Sequence, residues 1–144
     1  MAKWKILFLC TGNSCRSQMA EGWCRHLQSR RYDAYSAGIE THGLNPNAVR
    51  VMAEAGVDIS THRSQHVDEL SHIHFDIVVT VCGHAHEHCP LFSNADRIVH
   101  VGFDDPPALA KKSANEEDAL NHYRRVRDEI RDFIAALPTS LQLD

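Results

Sequence analysis

Trp4-Lys5-Ile6-Leu7-Phe8-Leu9-Cys10-Thr11-Gly12-Asn13-Ser14-Cys15-Arg16-Ser17 is the stretch whose reading decides the fold. Its first six residues form a short, nearly continuous apolar run, the pattern of a strand covered on both faces. A glycine-containing loop, Cys10 to Ser17, follows at once. From Gln18 to about Arg30, Met19, Trp23 and Leu27 recur at helix-compatible spacing. Strand, tight loop, helix is the opening of a parallel sheet, in which ligands bind beyond the carboxyl ends of the strands.

The rest of the chain extends that pattern. Tyr32 to Ala37 alternates aromatic and small residues and closes at Gly38, as a second strand does. Asn45-Pro46 predicts a helix start, with Asn as N-cap and Pro at the first helical position, and Gly56 a stop. Val67 to Ile73 reads as a short helix, Phe75 to Val81 as the clearest buried strand, and Arg97 to Val101 as a further strand. Cys82 to Pro90 is ambiguous between loop and helix. Phe103 to Ala108 reads as a loop held by Pro106 and Pro107, and about Asn115 to Ala136 as a long amphipathic helix. The expected architecture is α/β: a single doubly wound domain over residues 1–144, with a central parallel sheet of about four strands flanked by helices. Cys10, Cys82 and the Asp104-Asp105 loop each follow a predicted strand and so should meet on one rim of the sheet.

Composition narrows the function. At 144 residues, with 43% hydrophobic and 24% charged residues, the chain suits one ordinary globular domain. A net charge of −4 argues against nucleic acid as a partner, though a small anion can still bind in a local pocket. Lys3 and Lys5 flank only a few apolar residues, so no signal peptide is expected, and no segment approaches a membrane span. The expected compartment is the cytoplasm. There thiols stay reduced, and five cysteines, an odd count at low density, do not make a disulfide scaffold.

Cys10 and Arg16 stand with five residues between them. A turn of this kind between strand and helix points successive N–H groups inward, forming an anion-binding nest at a helix N-terminus. Gly12 and Asn13 tolerate the dihedrals such a turn needs. Arg16 can grip two oxygens of a tetrahedral anion with its planar fork. The same positive field favours the Cys10 thiolate. Ser17 can donate to that thiolate, and Asn13 can brace the loop. A bare Cys-x5-Arg match is common by chance; the strand before it, the helix after it and the Gly-Asn inside it carry the functional reading. Thr11, Gly12, Asn13, Ser14, Cys15, Arg16 and Ser17 form the expected substrate-binding set.

Cys10 to Ser17, continuing through Gln18-Met19-Ala20-Glu21-Gly22-Trp23, resembles the active-site loop of arsenate reductases with the low-molecular-weight tyrosine phosphatase fold, the thioredoxin-coupled branch above all. Tyr35 to Gly38, Gly43 to Val49, Val79 to Gly83, Gly102 to Pro106 and Arg125 to Ile130 resemble it too, so the likeness spans nearly the whole chain. It implies reduction of arsenate by Cys10, with Cys82 and Cys89 passing the oxidation outward as disulfides to thioredoxin. By themselves Cys82 and Cys89 read as small apolar fillers. Spacing cannot choose between Asp104 and Asp105 as the acid; the resemblance selects Asp105. Were residues 82–89 a regular helix, their end Cα atoms would lie about 10.5 Å apart. A disulfide needs roughly 4.4–6.8 Å, so this segment is expected to change shape when Cys82 and Cys89 bond.

Further expectations concern ligands and rivals. Some members of that family bind potassium through residues matching Asn13, Glu21 and Ser36. Arg63 and Gln65 replace the remaining ligands, so no alkali-metal site is expected, and no cofactor. His84-x-His86-x-His88 lacks a structural zinc pattern and reads as solvated. Cys15 reads as loop packing, and Cys24 has no assigned role. The partners expected are arsenate and thioredoxin, with the chain a monomer. The rival readings are a low-molecular-weight tyrosine phosphatase and a non-catalytic oxyanion or redox sensor; glutaredoxin is the alternative reductant.

Overall fold

The computed structural model describes residues 3–81 and 95–141. Cys82, Cys89 and the three closely spaced histidines, His84, His86 and His88, lie outside the described residues, as does the expected rearrangement of 82–89. Four strands, β1 (Trp4–Cys10), β2 (Tyr32–Gly38), β3 (Phe75–Thr80) and β4 (Ala95–His100), form one sheet in the order β2-β1-β3-β4. Every pairing is parallel. The chain moves from β1 outward to β2, then returns past β1 to β3 and on to β4. The winding therefore reverses at the β1/β3 boundary, the topological switch point of a doubly wound sheet.

The apolar runs explain which strands are central. Ile6, Leu7, Phe8 and Leu9 of β1 are fully buried, as are Phe75, Val78 and Val79 of β3. β4, with Asp96 and Arg97, is a largely exposed edge. Helices α1 (Arg16–Leu27), α2 (Pro46–Glu54) and α4 (Glu116–Ala135) pack together, and α3 (Pro106–Ala110) lies against α4. Leu120, Tyr123, Val126, Ile130 and Ile134 give α4 its buried stripe. Trp23 Nε1 donates to the Arg127 carbonyl at 3.1 Å, tying α1 to α4 by a polar contact inside an apolar seam.

Two expectations need correction. Pro106 and Pro107 do not brace a loop. They occupy the first turn of α3, where a fixed φ is already helical and a missing N–H costs nothing. Val67 to Ile73 shortens to a 3-10 turn, Val67–Leu70, closed by a reciprocal cap between His66 and Glu69. A 3-10 turn at Thr139–Leu141 was not expected; the other expected elements differ from their bounds only at their ends. Among the described residues no helix is long and apolar enough to cross a membrane.

Candidate active site

β1 delivers Cys10, 4% exposed, to the carboxyl rim of the sheet, and α1 starts six residues later at Arg16. Between them the loop's carbonyls are all hydrogen-bonded. Thr11 O accepts from Glu40 N at 2.9 Å, Gly12 O from His42 N at 3.0 Å, and Ser14 O from Asn45 N at 3.0 Å. Gly12 O also accepts from Ser64 Oγ at 3.0 Å, and Asn13 O from Gln18 Nε2 at 3.2 Å. A planar trans peptide points its N–H opposite to its C=O. Four successive carbonyls are thus engaged by groups outside the loop, which leaves their N–H groups free of that role, as a nest requires.

The two residues chosen for unusual dihedrals differ in their reasons. Asn13 adopts φ 48°. Its side chain is buried and fully used: Nδ2 donates to Ser17 Oγ at 2.9 Å, and Oδ1 accepts from Gln65 N at 2.9 Å. Gly12 has no positive φ. Glycine there leaves room for the His42 ring, whose Nδ1 would stand 2.2 Å from a Cβ.

The pocket has a volume of about 230 Å³. Cys10, Gly12, Ser14, Cys15 and Arg16 line it from the loop, and His42, Asn45, Asp105 and Pro107 from outside. Thr11, Asn13 and Ser17 are absent from the lining. Asn13 and Ser17 are wholly buried behind the loop, where they hold its shape. Arg16 Nη1 donates to the Phe103 carbonyl at 2.9 Å, and its Nη2 lies 3.7 Å from Asp105 Oδ1. Asp104 instead pairs with Arg125 at 3.0 Å. A larger cleft of about 380 Å³, lined by Lys3, Arg25 and Tyr35 among others, holds no cysteine.

Burial raises the Cys15 thiol to about 12, outweighing the nearby Arg16. Burial likewise raises Cys24 to about 12. Both are therefore protonated at neutral pH, which fits the packing role read for Cys15. Around the positions matched to potassium ligands, Ser36 Oγ donates to Glu21 Oε1 at 2.7 Å, and Arg25 pairs with Glu21 at 3.0 Å. Gln65 Nε2 donates to the Ser36 carbonyl at 2.9 Å, and Arg63 pairs with Glu69 at 3.3 Å. Donors thus stand where a cation would want acceptors.

The family model of low molecular weight phosphotyrosine protein phosphatases matches residues 5–144. The chain belongs to that family. Within it, the chain is 52% identical over 130 residues to an arsenate reductase of Halalkalibacterium halodurans, covering 90% of this chain and 91% of that protein. It is 50% identical over 134 residues to an arsenate reductase of Bacillus licheniformis, covering 93% and 94%. A solved structure of an arsenate reductase in the phosphate binding state superposes with a TM-score of 0.79 at 28% identity, covering 96% of this chain and 98% of that one.

His42, Asn45 and Pro107 are pocket residues that sequence reasoning did not find. Each lies outside the loop that was read as the site. Asn45 carries a second task as the cap of α2, accepting from Asn47 N at 2.8 Å, and that task conceals the first. The legible signal was position: residues 39–45 follow β2 on the same rim as Cys10.

Proposed function

We propose that this chain reduces arsenate to arsenite, with Cys10, Cys82 and Cys89 as successive stations of a disulfide relay. The observation that carries the reading is the pocket at the end of β1, where Cys10 and the Arg16–Asp105 pair converge. It belongs to a chain about half identical to proteins named arsenate reductase.

Inward N–H groups and the Arg16 guanidinium hold the oxygens of the tetrahedral anion. The Cys10 thiolate attacks arsenic; Asp105 protonates a departing oxygen, which leaves as water. The Cys82 thiolate then attacks Cys10 Sγ. The sulfur–arsenic bond breaks, its electron pair stays on arsenic, and arsenite departs from a Cys10–Cys82 disulfide. Cys89 attacks Cys82 and frees Cys10 as a thiolate. A thioredoxin dithiol supplies two electrons to the Cys82–Cys89 disulfide and restores both thiols. Support for pairing Cys82 with Cys10 comes from Val81, the residue before Cys82, whose N–H bonds to the carbonyl of Leu9, the residue before Cys10, at 2.9 Å. Cys15 and Cys24, both raised to about 12, do not compete as nucleophiles. The enzyme acts as a cytoplasmic monomer with no cofactor of its own.

Arsenate-dependent NADPH oxidation with thioredoxin and its reductase, set against glutathione with glutaredoxin, tests the reading. Turnover is expected with the thioredoxin system. Equal support from glutaredoxin would remove the thioredoxin coupling, and arsenate-independent rates in both systems would remove the reduction itself. In Cys89→Ser, single turnover should survive while cycling fails. Membership of a phosphatase family also favours a slow phosphomonoesterase side reaction, because Cys10, Arg16 and Asp105 suffice for it.

A further inference from the structure

Outside the Cys10–Ser17 loop, the pocket is closed on its Gly12 side by His42. Two backbone bonds, Glu40 N to Thr11 O at 2.9 Å and His42 N to Gly12 O at 3.0 Å, fix this segment against the loop. The His42 ring lies so close over Gly12 that a methyl group there would meet it at 2.2 Å. Its Nε2 sits 2.6 Å from Glu40 Oε2. A carboxylate only accepts, so Nε2 carries the proton. Both side chains are about half exposed, at 52% and 57%.

An exposed imidazole–carboxylate hydrogen bond is ordinarily worth little. This one differs in its place, since His42 lines the pocket and Glu40, whose N–H bonds to Thr11 O, holds its carboxylate against that wall. An unpaired carboxylate there would repel an incoming dianion through mostly aqueous surroundings. From this placement we infer that His42 is a further binding residue for the oxyanion. Its ring completes the pocket wall over Gly12, and its bond to Glu40 keeps that carboxylate from opposing the bound anion. The inference rests on the oxyanion-binding reading of the pocket. It adds a residue that acts on binding rather than on the relay, so its signature falls on KM and not on kcat.

The test uses inorganic phosphate as a non-reducible probe, by calorimetric titration, beside arsenate kinetics. In His42→Ala, the phosphate Kd and arsenate KM should rise about three- to tenfold, the scale of one screened charge acting on a dianion, with kcat little changed. His42→Phe keeps a ring over Gly12 but cannot donate to Glu40, and should move the same way. Adding Glu40→Gln to His42→Ala should restore most of the lost affinity. The penalty should also shrink near ~1 M NaCl, where charges are screened within about 3 Å. Wild-type affinity in both single variants would overturn the assignment. So would a loss that neither Glu40→Gln nor salt relieves, since that would mark a purely steric wall. If the unaltered chain bound no phosphate at all, the oxyanion reading would fail first and separately.

Discussion

Asp105 and Asp104 share one peptide bond, yet Asp105 faces the Arg16 guanidinium at 3.7 Å while Asp104 reaches outward to Arg125 at 3.0 Å. Only the first lines the pocket. Sequence could not separate them without the family resemblance, because two adjacent acidic residues after a strand look alike until the chain's turn is known. Asp105→Asn should slow the first chemical step roughly hundredfold, the usual scale of a lost general acid, while phosphate affinity holds; rapid-quench single turnover would read it, and an unchanged rate would exclude the acid role. The cysteines divide on similar grounds. Cys15 and Cys24 are raised by burial from the ordinary 9.0 to about 12, so the native state keeps protons that the unfolded chain gives up. Stability contributed in this way is whole below pH 9 and declines as pH climbs from 9 toward 12. Thermal melts from pH 8 to 11 should show that decline, and Cys24→Ala should flatten it; a pH-independent midpoint through that range would contradict the assignment.

At the scale of elements, β1, β3 and α4 were legible because each carries an unbroken periodic signal, continuous for the central strands and 3.6-fold for the helix. The errors arose where one residue type serves two local structures. Pro106-Pro107 suits a rigid loop and the first turn of a helix equally, and only the packing of α3 on α4 decides between them. Val67 to Ile73 had the composition of a helix but ends as a 3-10 turn once its cap has formed. The junction between α1 and α2 holds a constraint that periodicity does not express. A Cβ on Gly22 would stand 2.7 Å from Ile59 Cγ2 and 3.1 Å from the Met52 methyl, both wholly buried. Gly22→Ala should therefore destabilise by about 1–3 kcal/mol through overpacking, despite the higher helix propensity of alanine. Urea denaturation would measure it, and a gain in stability would show that Ile59 and Met52 can give way.

For the molecule as a whole, one sheet places Cys10 and Arg16, from one loop, and Asp105, from a distant part of the chain, on a single rim. That arrangement answers the binding of a tetrahedral anion, but it does not by itself choose between hydrolysis and reduction. An ester can be cleaved and its phosphoryl group returned to water by Cys10 alone, with no net change in sulfur oxidation state. Arsenic can accept two electrons only if a second thiol resolves the adduct, and in the proposed relay that thiol is Cys82. The two chemistries should thus separate in one variant. Cys82→Ser is expected to abolish arsenite release in single turnover while hydrolysis of p-nitrophenyl phosphate stays within about twofold of the unaltered chain. Measuring both reactions on the same preparation gives the variant its own folding control, since an unfolded protein would lose both. Retained arsenite release would mean that a thiol other than Cys82 attacks Cys10. With Cys15 and Cys24 protonated by burial at neutral pH, that thiol would have to be Cys89 or one supplied from solution.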